Sequence, residues 1–265
     1  MRRLGWLVIA AFAVSCNSAP AFQGHLAKFR GSIILSVTTP LTKAVRSLRL
    51  GWRTVGTPGQ FVIADVLTYG GKYLKVSPPA GWALIREDTA SFSTARAASP
   101  IRQFIYWHII QPNDIDANGD TWQFSERVEA QGSVIFLDNV STIAPVDATS
   151  GYSRYNTAYP LARSVTTTRN GDLVLYFYAT DFLGGGLNPR LPCAPGDLKA
   201  REFKPLPRVS GIVSNSDADY EYWVDAAYQT TQGKTPDAVS VTVQFCGWIA
   251  AQVALRMEPA RSGRP

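Results

Sequence analysis

The 265-residue chain is 46% apolar and only 17% charged, a balance that supports a buried core and excludes a disordered polymer. Its formal charge of +6 is scattered rather than gathered into a basic stripe, which argues against a nucleic-acid-binding protein. Two histidines and three cysteines leave little material for Ser-His, Cys-His or zinc chemistry.

The N-terminus reads as an export signal over residues 1–21. Met1-Arg2-Arg3 is basic, Trp6 to Val14 is apolar, and Ala19-Pro20-Ala21 is a small-x-small cleavage site that would start the mature chain at Phe22. The apolar run is too short for a stable membrane anchor, and no later stretch is a transmembrane candidate. A rival cut precedes Cys16, where Ala13-Val14-Ser15-Cys16 resembles a bacterial lipobox and would leave a lipid anchor on that cysteine. The expected localisation is therefore secreted, periplasmic or cell surface.

Beyond the signal, runs of β-branched and aromatic residues recur between Gly, Pro, Asn and Asp. The expected strands are Ser32–Thr38, Gln60–Thr68, Ala83–Arg86, Arg102–Ile110, Thr121–Phe124, Ser133–Leu137, Leu173–Thr180, Tyr220–Ala226, Ala238–Phe245 and Ala250–Met257. Turn chemistry separates them at Gly70-Gly71, Pro78–Gly81, Asn118-Gly119 and Asn170-Gly171. Lys43–Leu50 comes nearest to a helical stripe but is short. The pattern predicts an all-β fold, a single antiparallel β-sandwich of jelly-roll or concanavalin-like form, over residues 22–257, with 258–265 a flexible tail. Arg102–Ile110 and Leu173–Thr180 are apolar on both faces, as central strands covered on each side would be. The long connections Asp138–Arg169 and Asp181–Ser210 are expected loops.

The order of certain segments resembles a diverse family of β-sandwich modules in bacterial secreted or surface proteins and in phage tail-fibre proteins. These segments include Pro78-Pro79-Ala80-Gly81-Trp82, Asp120-Thr121-Trp122, Ala144-Pro145-Val146-Asp147-Ala148, Thr166-Thr167-Thr168 with Gly171-Asp172-Leu173-Val174, and Val253-Ala254-Leu255-Arg256. The resemblance spans roughly residues 55–257 and implies a jelly-roll or lectin-like binding or structural module; it transfers no catalytic motif.

Candidate site residues follow from chemistry. Cys193 and Cys246 form an even pair that an oxidising compartment would join, closing a loop of roughly 54 residues for about 4 kcal/mol. Asp114, Asp116, Asn118 and Asp120, with Gly119 at the sixth place, suit a calcium loop, although Ser125 stands where a bidentate Glu is wanted; calcium is the one cofactor suggested. Asp217, Asp219 and Glu221 alternate on one strand, as in lectin-like glycosidases, where adjacent carboxylates supply nucleophile and acid. Tyr152, Arg154, Tyr155 and Tyr159 could stack on sugar faces and hydrogen-bond hydroxyls. Trp82 and His108 read as packed sandwich residues, and Gly233-Lys234-Thr235 as a hairpin. The leading expectation is a non-catalytic binding or adhesion module for a glycan or other surface polymer. The alternatives are a glycoside hydrolase or lyase using Asp219 and Glu221, and a structural subunit of an extracellular or virion assembly.

Overall fold

A computed structural model describes residues 44–51, 57–71, 73–90, 100–114, 119–157, 160–181, 209–214, 219–229, 232–235, 237–239 and 246–258. The expected signal peptide, Cys16, the strand Ser32–Thr38 and Cys193 lie outside the described residues. The described chain is all β, without helices. In order the strands are β1 (Val45–Leu50), β2 (Phe61–Tyr69), β3 (Val76–Ser77), β4 (Ala83–Ala90), β5 (Ile101–Ile109), β6 (Asp120–Leu137), β7 (Val146–Thr157), β8 (Leu161–Ala162), β9 (Thr166–Thr167), β10 (Asp172–Asp181), β11 (Val209–Ser214), β12 (Asp219–Gln229), β13 (Gly233–Lys234), β14 (Ala238–Val239) and β15 (Cys246–Leu255).

Two antiparallel sheets carry the fold. One runs β1-β6-β2-β5-β4, with β3 also on β6; the other runs β11-β12-β10-β15-β7. They face each other through a shared apolar layer. Phe61, Ile63, Ile105 and Ile135 of the first sheet meet Leu175, Phe177, Ala251 and Val253 of the second. Side chains alternate along a strand, so the other faces of β5 and β10 must find separate cover. On the first sheet, Val62, Ala64, Phe104, Tyr106 and Phe136 pack beneath Leu48, Leu50 and Trp122. On the second, Val174, Tyr176, Tyr178 and Trp248 pack with Ala162 and Val165. Both strands are therefore central and apolar on two faces, as the sequence pattern requires.

The cover on the first sheet comes from β6 itself. Residues 120–128 of this strand pair with β1 and β3, while residues 129–137 pair with β2. The expected runs Thr121–Phe124 and Ser133–Leu137 are thus the two ends of one 18-residue strand. Gly132 lets the two parts close: a Cβ there would stand 2.5 Å from the Asp65 carbonyl oxygen and 3.3 Å from Leu48 and Leu50 side-chain carbons. The helix-like stretch Lys43–Leu50 supplies β1, because Leu48 and Leu50 alternate with exposed Arg49 and meet this core.

The cover on the second sheet is tied down by a buried amide. Gln252 donates from Nε2 to the Ala162 carbonyl (2.9 Å) and accepts from the Thr235 hydroxyl (2.7 Å). Thr235 in turn accepts the Val165 amide at 2.9 Å. Gly233-Lys234 is not a free hairpin tip but β13, paired with β9. The connection Asp138–Arg169, expected as a loop, contains β7, β8 and β9, and β11 begins within the expected loop Asp181–Ser210.

Candidate functional site

The register of the second sheet assembles residues that are far apart in sequence. Directly paired residues in an antiparallel ladder share a face. Arg154 pairs with Trp248, which pairs with Thr180, which pairs with Glu221. The next row on this face reads Tyr152, Ala250, Tyr178 and Trp223, and the third Ser150, Gln252, Tyr176 and Asp225. One face of this sheet therefore carries the two features predicted separately, the Tyr152–Arg154 pair at the β7 edge and the alternating acidic positions of β12. Asp219 lies further along β12, opposite Ser214 of β11; Asp217 and Tyr159 lie outside the described residues.

At the β7 edge the side chains are well defined. Tyr152 is half-buried, with its ring edge-on to Trp248 at 5.6 Å. The Arg163 guanidinium lies 3.9 Å from the Tyr152 ring centroid and that of Arg154 at 5.6 Å. The Tyr152 face is thus already used by cations and is not an open sugar platform. Arg154 itself is exposed, and Tyr155 is 38% exposed at a place where the β7–β15 register shifts. Tyr152, Arg154 and Tyr155, the predicted ligand residues that are described, lie on strand β7 rather than in a loop.

Asp114 and Asp120, the expected calcium ligands that are described, have protein partners. Asp114 accepts His108 Nε2 at 2.7 Å and the Gln111 amide at 2.6 Å, while Asp120 accepts Trp82 Nε1 at 2.8 Å. Trp82 stacks on His108 at 5.5 Å and meets Trp122 edge-on at 5.1 Å; His108 Nδ1 also lies 3.0 Å from the Gly81 carbonyl. Asp116 and Asn118 lie outside the described residues. Trp82 is buried in the cover of the first sheet, so the Pro-x-Gly-Trp segment serves packing.

A second polar knot gathers three of the quoted segments. Asp147 at the start of β7 accepts the Thr168 amide and hydroxyl, both at 2.6 Å, and Arg256 Nε at 2.9 Å. Burial pushes the Asp147 carboxyl up, but bonds from Thr168, Arg256 and Asp172 outweigh it and hold the group below the usual range. Asp172 goes the other way, raised to about 7 first by burial and then by the neighbouring Asp147 charge. Below about pH 7 the neutral form of Asp172 is therefore favoured beside the Asp147 charge.

Between the sheets lies a third polar group that sequence reasoning missed. Asp65, 1% exposed, accepts both contacts of the Gln103 amide nitrogen, at 3.0 and 3.1 Å. Gln131 donates to the Tyr69 hydroxyl at 2.7 Å. Toward the β4–β7 rim, Arg86 grips Asp88 and reaches Thr149. Gly151 makes room for it, since a Cβ there would fall 1.8 Å from Arg86 Nη2. The signal available was one charged residue, Asp65, inside the apolar run Phe61–Tyr69.

Comparison of the chain with protein families, with curated proteins and with solved structures returns no match.

Proposed function

We propose that the protein is an exported, non-catalytic binding module of jelly-roll or lectin-like form, whose ligand is a glycan or another surface polymer. The observation that supports this reading is the exposure of Arg154 and Tyr155 at successive positions of β7, a strand fixed by its ladder to β15. An exposed guanidinium and an exposed ring on a rigid strand suit a polymer that offers hydroxyls and C–H faces. The export signal and the segment order quoted above point the same way. A glycan array probed with the purified protein tests it. Binding to a restricted set of glycans is expected, weakened about tenfold by each of Arg154→Ala and Tyr155→Ala, the loss of one contact of about 1.4 kcal/mol. An array without signal, or one unchanged in the double variant, removes the reading.

A second reading is a glycoside hydrolase or lyase using Asp219 and Glu221. It is favoured by the alternation of these positions on β12, next to the central strand β10. If it holds, Glu221→Gln lowers polysaccharide turnover by about 10²–10⁴-fold, the usual share of a general acid or base. Turnover that is absent, or indifferent to this change, sinks it.

A further inference from the structure

We propose that Arg154 and Arg163, gathered on the Tyr152 ring, form an anion-binding subsite for an acidic polysaccharide that bears carboxylate or sulfate groups. The inference rests on the glycan-binding reading above and deepens it by naming the ligand class.

Both arginines are exposed, and among the described residues neither is engaged by a carboxylate. Their guanidinium carbons are at most 9.5 Å apart, since one ring centroid lies 3.9 Å from one and 5.6 Å from the other. Two cations this close, about one Debye length at physiological salt, repel each other unless an anion lies between them. Asp147 is enclosed with Arg256, and Asp237 accepts the Ser164 amide at 2.7 Å, one residue from Arg163. Glu221 lies in the Arg154 row, but three strands away, about 14 Å at the usual strand spacing.

The pair is also held in place before any ligand arrives. Tyr152 is set edge-on against buried Trp248 and presents its ring to both guanidinium groups. Arg163 is fixed at its backbone, where its carbonyl accepts the Ser150 hydroxyl, and Arg154 by its place in the ladder opposite Trp248. Planar guanidinium forks match carboxylate and sulfate oxygens in pairs, and cation–π contact with the ring orients them without neutralising them. A neutral glycan would leave this charge unanswered.

Binding of the purified protein to four immobilised probes tests the proposal: heparin (sulfate), polygalacturonate (carboxylate), dextran (neutral) and a DNA duplex (phosphate). Heparin, polygalacturonate or both are expected to bind, more weakly as salt rises, with dextran and DNA at least tenfold weaker; which acidic probe binds distinguishes sulfate from carboxylate. Arg154→Ala and Arg163→Ala should each weaken acidic binding about tenfold, and the double variant about a hundredfold. Both are exposed positions, and an unchanged melting temperature identifies the loss as one of contact rather than fold. Dextran binding as strong as the acidic probes overturns the inference and leaves the glycan-binding reading standing. Binding to none of the three polysaccharides overturns the inference, and a glycan array without signal overturns the glycan-binding reading with it. DNA binding equal to heparin, or acidic binding indifferent to the double variant, also overturns it.

Discussion

Asp147→Asn should destabilise the protein by about 3–5 kcal/mol, whereas Asp172→Asn should be close to neutral near pH 6. The asymmetry comes from which carboxyl of the pair carries the charge. Asp147 takes three donors, the Thr168 amide, the Thr168 hydroxyl and Arg256 Nε. Its side chain is fully enclosed, so an amide there would turn a donor toward donors and leave the Arg256 charge unanswered. Asp172 keeps its proton at pH 6, and the amide of Asn is likewise neutral beside the Asp147 charge. Guanidinium unfolding of both variants at pH 6 checks this. Equal losses in the two would show that the proton is not placed as described.

Asp65→Asn should stabilise the protein at pH 8 and remove much of its pH dependence. Burial lifts the Asp65 carboxyl from 3.8 to about 7; the Gln103 amide opposes this and the Asp88 charge adds to it. Between those values the folded protein keeps a proton that the unfolded chain releases. Stability therefore falls as pH rises from about 4 to about 7, by roughly 4 kcal/mol for a shift of this size. Asp172 contributes in the same direction, and Asp147 in the opposite one: its contribution is present above about pH 4 and is lost in acid. Asn carries no charge to desolvate. Its amide can also serve the buried Gln103 Oε1, Gln131 Oε1 or Ser133 Oγ, which have no partner, and Ser133 pairs with position 65 across the ladder. Denaturation midpoints at pH 5 and pH 8 decide the matter. A variant less stable than the parent at pH 8, or one with the parent's full pH slope, would contradict it.

The parts of the fold that were legible in the sequence are those whose side chains answer to two layers at once. Phe104 to Ile109 and Leu173 to Tyr178 show no polar side because both sides are covered, and they are central strands. Strand β7 was illegible for the opposite reason. Ala148-Thr149-Ser150-Gly151 looks like loop material, and its smallness makes sense only beside Arg86 and Asp88, which reach across from β4. The continuity of β6 was hidden likewise, since Ser125–Glu129 is polar where the strand passes from one partner to the next.

The candidate site was half legible. Tyr152, Arg154 and Tyr155 stand together in sequence and carry chemistry that can be named. Arg163 comes from nine residues on and reaches the same ring only through a tertiary contact. Residues of the segments quoted for their order meet in two knots, Trp82 with Asp120 and Asp147 with Thr168 and Arg256. Spacing alone could not show that they close on each other.

The place of β15 bears on the order of assembly. It pairs with β10 on one side and β7 on the other, so the five-stranded sheet has a gap between β10 and β7 until this late segment arrives. A nascent chain emerging from its N-terminal side can pair β2 with β5 and β6 early, since these lie close in sequence. Strand β7 must wait about a hundred residues for β15, its ladder partner among the described residues. In that interval Tyr176, Tyr178 and Phe177 have no neighbour on that flank, and the half-built sheet is the species on which a holding chaperone would act.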